Sequence, residues 1–425
     1  VIKDLINTFK TTGYLQYKIT STDGGYNMTG FEDVPKSSKA QDTVLAYSIS
    51  IEEGTTHNYT ITIQYPNDEN TDQSDDMGAT LSGKLYISEG TIEPTLYNKL
   101  LADNPTISER TDFSVTNTAN TTGTIYKTNK TEDGSDVYYY SGNTSKNWVK
   151  FAGFYWRIIR TNEDKSVRLL YAGTSHDTTT GYIGTSAYNS SYDDPMYVGY
   201  MYGTSGSLAN NRTNTNDSTI KAFVDDWYKN NLLTNYDKYI SKTAIYCNDR
   251  SVLNNNYLTS SGFGYGSFTR LYENKTPSYK CGANTSNGLF ESVQALTDKF
   301  SASIEGGGNG DLTYPIALMT ADEIAFAGGV YGMTLSSPYA WYAANSEGDL
   351  ISYNWWWSLS PYGWVNSRAF VWLVKGLGDP GRFGGDFVQG GFDVRPSISL
   401  NSCVKVSGTG TSDDPYEVDY ENSCK

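Results

Sequence analysis

Four cysteines, two histidines, a few clustered acids and a set of tryptophans are the residues with which this chain could do chemistry. Cys247, Cys281, Cys403 and Cys424 show no C-x-x-C spacing, which argues against zinc knuckles and thioredoxin-like redox motifs. An even count in a Tyr/Asn/Thr-rich acidic chain points to disulfides made in an oxidising compartment. Three pairings are open. The local one, Cys247 with Cys281 and Cys403 with Cys424, would stabilise by about 3 kcal/mol per bridge, mainly through the unfolded state. His57 and His176 are the only histidines and neither sits in a metal or nucleophile motif. The adjacent pairs Asp193-Asp194, Asp225-Asp226 and Asp413-Asp414 would point to opposite faces of a strand, so none reads as a hydrolytic dyad. The acidic run Asp68, Glu69, Asp72, Asp75 and Asp76 offers hard oxygen ligands. Asp72, Asp75 and Asp76 are the weak Ca²⁺ option, although EF-hand spacing is missing. The glycine-rich stretch 306–310 is followed by strand-like residues and no Lys-Ser/Thr pair, so it is no phosphate loop. Trp341 and Trp364, in loop-like surroundings, are the candidates for stacking on a sugar, helped by Arg382. The run 355–357 reads as core. No catalytic residue, metal or cofactor is expected, and the chain reads as non-enzymatic.

The background to these residues is acidic, yet only weakly charged. The chain has 425 residues, a net charge of −15 and 19% charged residues, below the roughly 25% of an ordinary domain. The acidity excludes a nucleic-acid binder, which needs a basic face. An aromatic content of 14%, with 36 tyrosines, excludes wholesale disorder. No apolar run is long enough to span a membrane. No signal peptide is visible, so a mature or trimmed form is expected.

Residues 1–14 stand apart. Val1, Ile2, Leu5, Ile6 and Phe9 recur at helical spacing and form one apolar stripe, ended by Gly13. This arm must bury its stripe on its own domain or on a neighbouring subunit. Residues 15–90 read as a small β-sandwich, with strands over 44–51, 59–65 and 81–87. Residues 91–145 read as a polar linker with a short helix near 95–101 and scattered strands. A hairpin follows over 154–171, then an amphipathic helix over 219–233. A second helix opens on a capping box from Thr320 to Glu323 and stops at Gly328-Gly329. Strands at 355–361, 369–374 and 392–400 come next. Residues 401–425 read as a hairpin stapled by Cys403 and Cys424; a hairpin alone is marginal in water. No sortase-type anchor or hydrophobic tail follows, so retention on a cell is expected to depend on assembly.

Two resemblances add to this. The stretch Thr71-Asp72-Gln73-Ser74-Asp75-Asp76-Met77-Gly78 leading into Leu81-Ser82-Gly83-Lys84-Leu85 resembles camelysin/TasA-type proteins, secreted β-sandwich subunits of matrix fibres. The resemblance implies that an N-terminal segment of one subunit completes the sheet of the next, which is β-augmentation. Trp357-Ser358-Leu359-Ser360-Pro361 and Val394-Arg395-Pro396-Ser397-Ile398-Ser399-Leu400 resemble C-type-lectin-like folds, more narrowly the formylglycine-generating-enzyme-like variant of bacterial surface proteins, over residues 146–400. That enzyme's cysteine pair and the lectins' Ca²⁺ motifs are missing, so the resemblance implies a fold and neither activity.

The fold expected is therefore mainly β, with an α+β C-terminal domain: a small β-sandwich, a C-type-lectin-like domain and a disulfide-stapled hairpin. The function expected is a subunit of an extracellular or cell-surface fibre, made of copies of this chain joined by strand or arm exchange. A monomeric lectin that binds host or bacterial glycans is the alternative, and a formylglycine-generating-type enzyme comes third.

Overall fold

The computed structural model describes residues 1–424 except 12, 47, 48, 50, 52, 53, 88–93, 253–256, 258–261 and 283–296. The chain divides into two compact units, Val1–Pro94 and Thr95–Lys425. It is mainly β, with 32% strand and 14% helix.

Unit 1 holds β1 (Ile2–Asn7), β2 (Gln16–Ser21), β3 (Glu32–Asp33), β4 (Ser37–Thr43), β5 (Tyr59–Gln64) and β6 (Leu81–Leu85). They form two three-stranded sheets, β4-β1-β6 and β3-β2-β5. Among the described residues, six side chains are buried in the core of this unit, Leu5, Leu15, Tyr17, Ile19, Met28 and Val34. In β2 the alternation Leu15, Tyr17, Ile19 puts every second side chain into that core, the period of a half-buried strand. The expected strand over 44–51 is displaced: pairing runs over Ser37–Thr43, and Tyr47, Ser48 and Ser50 lie outside the described residues.

The apolar arm is a strand and not a helix. β1 pairs antiparallel with β4 on one side and β6 on the other. Residues spaced three and four apart fit a helical stripe on sequence alone. Here Leu5 and Asn7 point inward while Ile2 and Ile6 are only partly covered. Two open sheet edges compete better for six residues than an isolated short helix, which is marginal in water.

Unit 2 begins where a linker was expected. In α1 (Leu96–Asp103) the Thr95 side chain caps the Asn98 amide, and Leu96 and Leu100 lie in the main core. The strands β7 (Thr106–Ser108), β8 (Thr124–Thr128) and β9 (Val137–Tyr139) join the large sheet, so 91–145 includes part of the domain. Its Asn and Thr residues are turn and cap groups, as at Asn117, Asn120 and Thr121.

The large sheet has ten strands among the described residues. At its centre is the hairpin of β11 (Phe154–Thr161) and β12 (Val167–Gly173), flanked by β10 (Trp148–Phe151). Helix α2 (Thr219–Asn231) buries Ile220, Val224 and Tyr228. A second sheet, six-stranded among the described residues, includes the short strand β13 (Gly262–Gly264) and the strands that follow α3 (Ala321–Ala327): β14 (Trp356–Val365), β15 (Arg368–Val374) and β16 (Phe383–Phe387). Of the run 355–357, Trp356 and Trp357 are buried in the core while Trp355 is partly buried and packs against it; Trp372 is buried as well.

The stretch 392–400, expected as one strand, is two. β17 (Phe392–Asp393) pairs in the six-stranded sheet, and β18 (Pro396–Leu400) pairs with β12 in the ten-stranded one. The change of sheet falls at Val394-Arg395. The buried Arg395 guanidinium donates to the carbonyls of Tyr171, Gly181 and Tyr342, tying the crossing to both surroundings.

The tail is likewise no separate module. β19 (Val406–Ser407) and β20 (Tyr416–Val418) form the expected hairpin, but β20 also pairs parallel with β10 and so extends the large sheet. Two disulfides are present, Cys247–Cys281 and Cys403–Cys424.

Candidate functional site

Each expected site residue has a definite place. In unit 1, β1 is the middle strand of its sheet, with register breaks on both sides and Asp4 in the left-handed region at φ 54°. Such a conformation is uncommon for a residue with a Cβ. The exit of the strand is clamped by Asp76, whose carboxylate accepts hydrogen bonds from the Lys10 amide, the Thr11 amide at 3.2 Å and the Tyr65 hydroxyl at 2.8 Å. Desolvation pushes this carboxyl up, but the donors outweigh it and hold it at about 2.

This use of Asp76 corrects the Ca²⁺ option. Its oxygens point at backbone amides, while Asp72 accepts from the Ser74 amide and Asp75 is exposed. Among the described residues no group of acids, histidines or cysteines is arranged to hold a metal ion.

The trio Trp341, Trp364 and Arg382 is not brought together. Trp341 is 1% exposed and donates its indole N–H to the Tyr140 carbonyl at 2.9 Å, so it is a core residue and no binding face. Its loop-like sequence surroundings gave no sign that Gly142 and Tyr140 would seat it. Arg382 is tied to Asp379 in the turn before β16, beside the β15 end at Val374. Trp364 pairs with Ala369 at the other end of β15.

Trp364 is placed differently. It is partly exposed and lines a shallow groove of about 330 Å³ with Phe263, Phe268 and Tyr362. Gly264 and Gly363 make this groove. A Cβ at Gly264 would stand 2.6 Å from the Phe268 ring, and one at Gly363 would stand 2.7 Å from the Phe263 carbonyl oxygen. The result is an aromatic strip with bare backbone beside it, the kind of surface on which a flat apolar sugar face stacks.

A third feature had no counterpart in the sequence reading. A cavity of about 430 Å³ opens beside the Cys247–Cys281 bridge, floored by Arg160, Arg168, Arg270, Asp249, Asp322 and Glu323. A register shift after Ile158 places Arg160 directly opposite Arg168 across the β11–β12 ladder. Like charges in that position repel. Glu323 of α3 offsets this, because its Oε1 accepts from Arg160 Nε at 3.1 Å and from Arg168 Nη1 at 2.9 Å. Its Oε2 accepts from the Thr320 amide, closing the capping box. Burial alone would raise the Glu323 carboxyl, but Arg168 and Arg160 overcome it and lower it. Arg270 makes a fork to Asp322 at 3.0 and 2.8 Å and reaches Asp249 at 2.6 Å. The capping-box signal marked Glu323 as a helix residue, while its two arginine partners lie far away in sequence.

No protein-family model, curated protein or solved structure matches this chain. Among the described residues, no helix is long and apolar enough to cross a membrane.

Proposed function

We propose that this is a non-enzymatic, extracellular structural protein whose unit 1 links copies of itself by exchange of β1. The observation that carries this reading is the seat of β1. It fills the slot between β4 and β6, two strands with no other strand partner among the described residues. Few of its side chains are buried there: Leu5 and Asn7 are the buried residues of β1, and β4 and β6 are mostly exposed. A strand from a second copy would satisfy the same backbone groups, so the main cost of exchange is the withdrawal of Leu5 and of the Asn7 amide, which donates to the Val34 and Pro35 carbonyls. The exposed Leu85, Tyr86 and Ile87 beside this slot give a joined copy apolar area to cover. Two disulfides fit an oxidising compartment. The camelysin/TasA-like sandwich and the C-type-lectin-like fold remain the families this reading draws on.

Electron microscopy of the purified chain tests it. Filaments are expected from the full chain, and none after deletion of residues 1–9. Capping of growth by a synthetic peptide of those residues would identify the strand. Monodisperse particles from both forms under all conditions would defeat the reading.

The Trp364 groove favours a second reading, in which unit 2 binds glycans. A glycan array probed with the full chain and with Trp364→Ala decides it. Binding lost in the variant supports the groove; no binding, or equal binding, removes it.

A further inference from the structure

The cavity beside the Cys247–Cys281 bridge is more than a braced ion network, because it keeps hydrogen-bonding capacity that the protein does not use. Arg160 has a side chain only 7% exposed, and its Nε and Nη1 are spent on Glu323 and the Thr161 carbonyl. Its Nη2 donates to nothing among the described residues. The Tyr279 hydroxyl is buried and has no partner among the described residues. Both residues border the cavity, and the Arg160 guanidinium lies over the Tyr279 ring at 4.5 Å from its centroid, so they share one wall. A buried hydroxyl left unused costs about 1–3 kcal/mol, which an acceptor group supplied to this wall would offset.

The rim has the opposite character. Charges on the floor cancel, with Arg160, Arg168 and Arg270 set against Glu323, Asp322 and Asp249. At the rim Glu132 is paired with Lys299 at 2.7 Å, while Asp133, Glu163, Asp164 and Glu305 bring further negative charge. Glu163 stays 3.9 Å from Arg160, too far for a hydrogen bond. A cavity of this size lies within the usual range for small-molecule sites.

We propose that the cavity binds a small basic amino acid, its carboxylate on the Arg160 and Tyr279 wall and its cationic groups against the acidic rim. This binding is independent of strand exchange in unit 1.

Calorimetric titration of the full chain with L-lysine, 1,5-diaminopentane and acetate separates the two halves of the site. Lysine should bind, and each of the other two should bind about tenfold more weakly, for loss of one charged contact. Tyr279→Phe removes only the unused hydroxyl, so thermal stability should hold or rise. Lysine affinity should fall about fivefold, one hydrogen bond's worth, with no change for the diamine. Glu305→Gln, at the exposed rim, should weaken lysine and the diamine together. No binding of lysine at millimolar concentration overturns the proposal. So does equal binding of lysine and the diamine, or a Tyr279→Phe variant that binds lysine as the parent does.

Discussion

Strand β1 in unit 1 and strand β11 in unit 2 are both interior strands of their sheets, and they are held in contrasting ways. In β1 only Leu5 and Asn7 are buried; in β11 every residue from Trp156 to Thr161 is. β1 ends at a carboxylate clamp on its backbone, whereas β11 carries Arg157 and Arg160 into a desolvated interior where each finds fixed acceptors. Burial drives the Arg157 guanidinium down to about 9, with the neighbouring Arg395 charge adding to the effect, and its acceptors among the described residues are carbonyl and amide oxygens. A strand with such groups cannot leave without exposing or stranding them. A strand seated by one leucine and an amide side chain has fewer such groups to strand. The difference lies in how much buried polar and apolar surface each strand carries, large in β11 and small in β1.

The largest test of this contrast is Glu323→Ala. It strands Arg160 and Arg168 in the interior, and unit 2 should lose about 3–5 kcal/mol in denaturant unfolding. Unit 1, followed by hydrogen exchange at β2 and β5, should be unaffected. A joint loss in both units would break the comparison.

Leu5→Ala removes the main buried side chain of β1 and should destabilise unit 1 by about 3 kcal/mol. The far-UV and near-UV signals of unit 2 should survive, and filaments should be lost with the seat. Filaments as abundant as in the parent would show that β1 is not the linking strand.

The smallest effect concerns the clamp. Asp76 is held at about 2 in the folded state, below an ordinary aspartate at about 3.9. The unfolded state therefore takes up its proton first as pH falls. The clamp's contribution is full above pH ~4 and is lost as pH drops toward the folded value. Hydrogen exchange of β1 amides should quicken over that window, and Asp76→Asn should flatten the dependence. A slope unchanged in the variant would assign it to other carboxylates.

Much of unit 2 was legible from local signals. The hairpin over 154–171 was visible because apolar runs flank a polar turn, and the second helix because Thr320, Glu323 and Gly328 mark its two ends. β1 was misread because spacing in so short a segment fits both a helix and a bulged strand, and the open edges of β4 and β6 decided it. The split of 392–400 was invisible because both halves look like strand, and only the two sheets pull them apart.

The sequence by itself determined a mainly β chain, acidic and rich in Tyr and Asn, with little use for histidine chemistry. Composition and turn residues act locally, so they are readable in order along the chain. Which aromatics stay exposed was decided by tertiary structure, burying Trp341 and leaving Trp364 at a groove. So was the meeting of Arg160, Arg168 and Glu323 around one cavity. These depend on a one-residue register shift and on contacts between segments more than a hundred residues apart, and no local pattern encodes either.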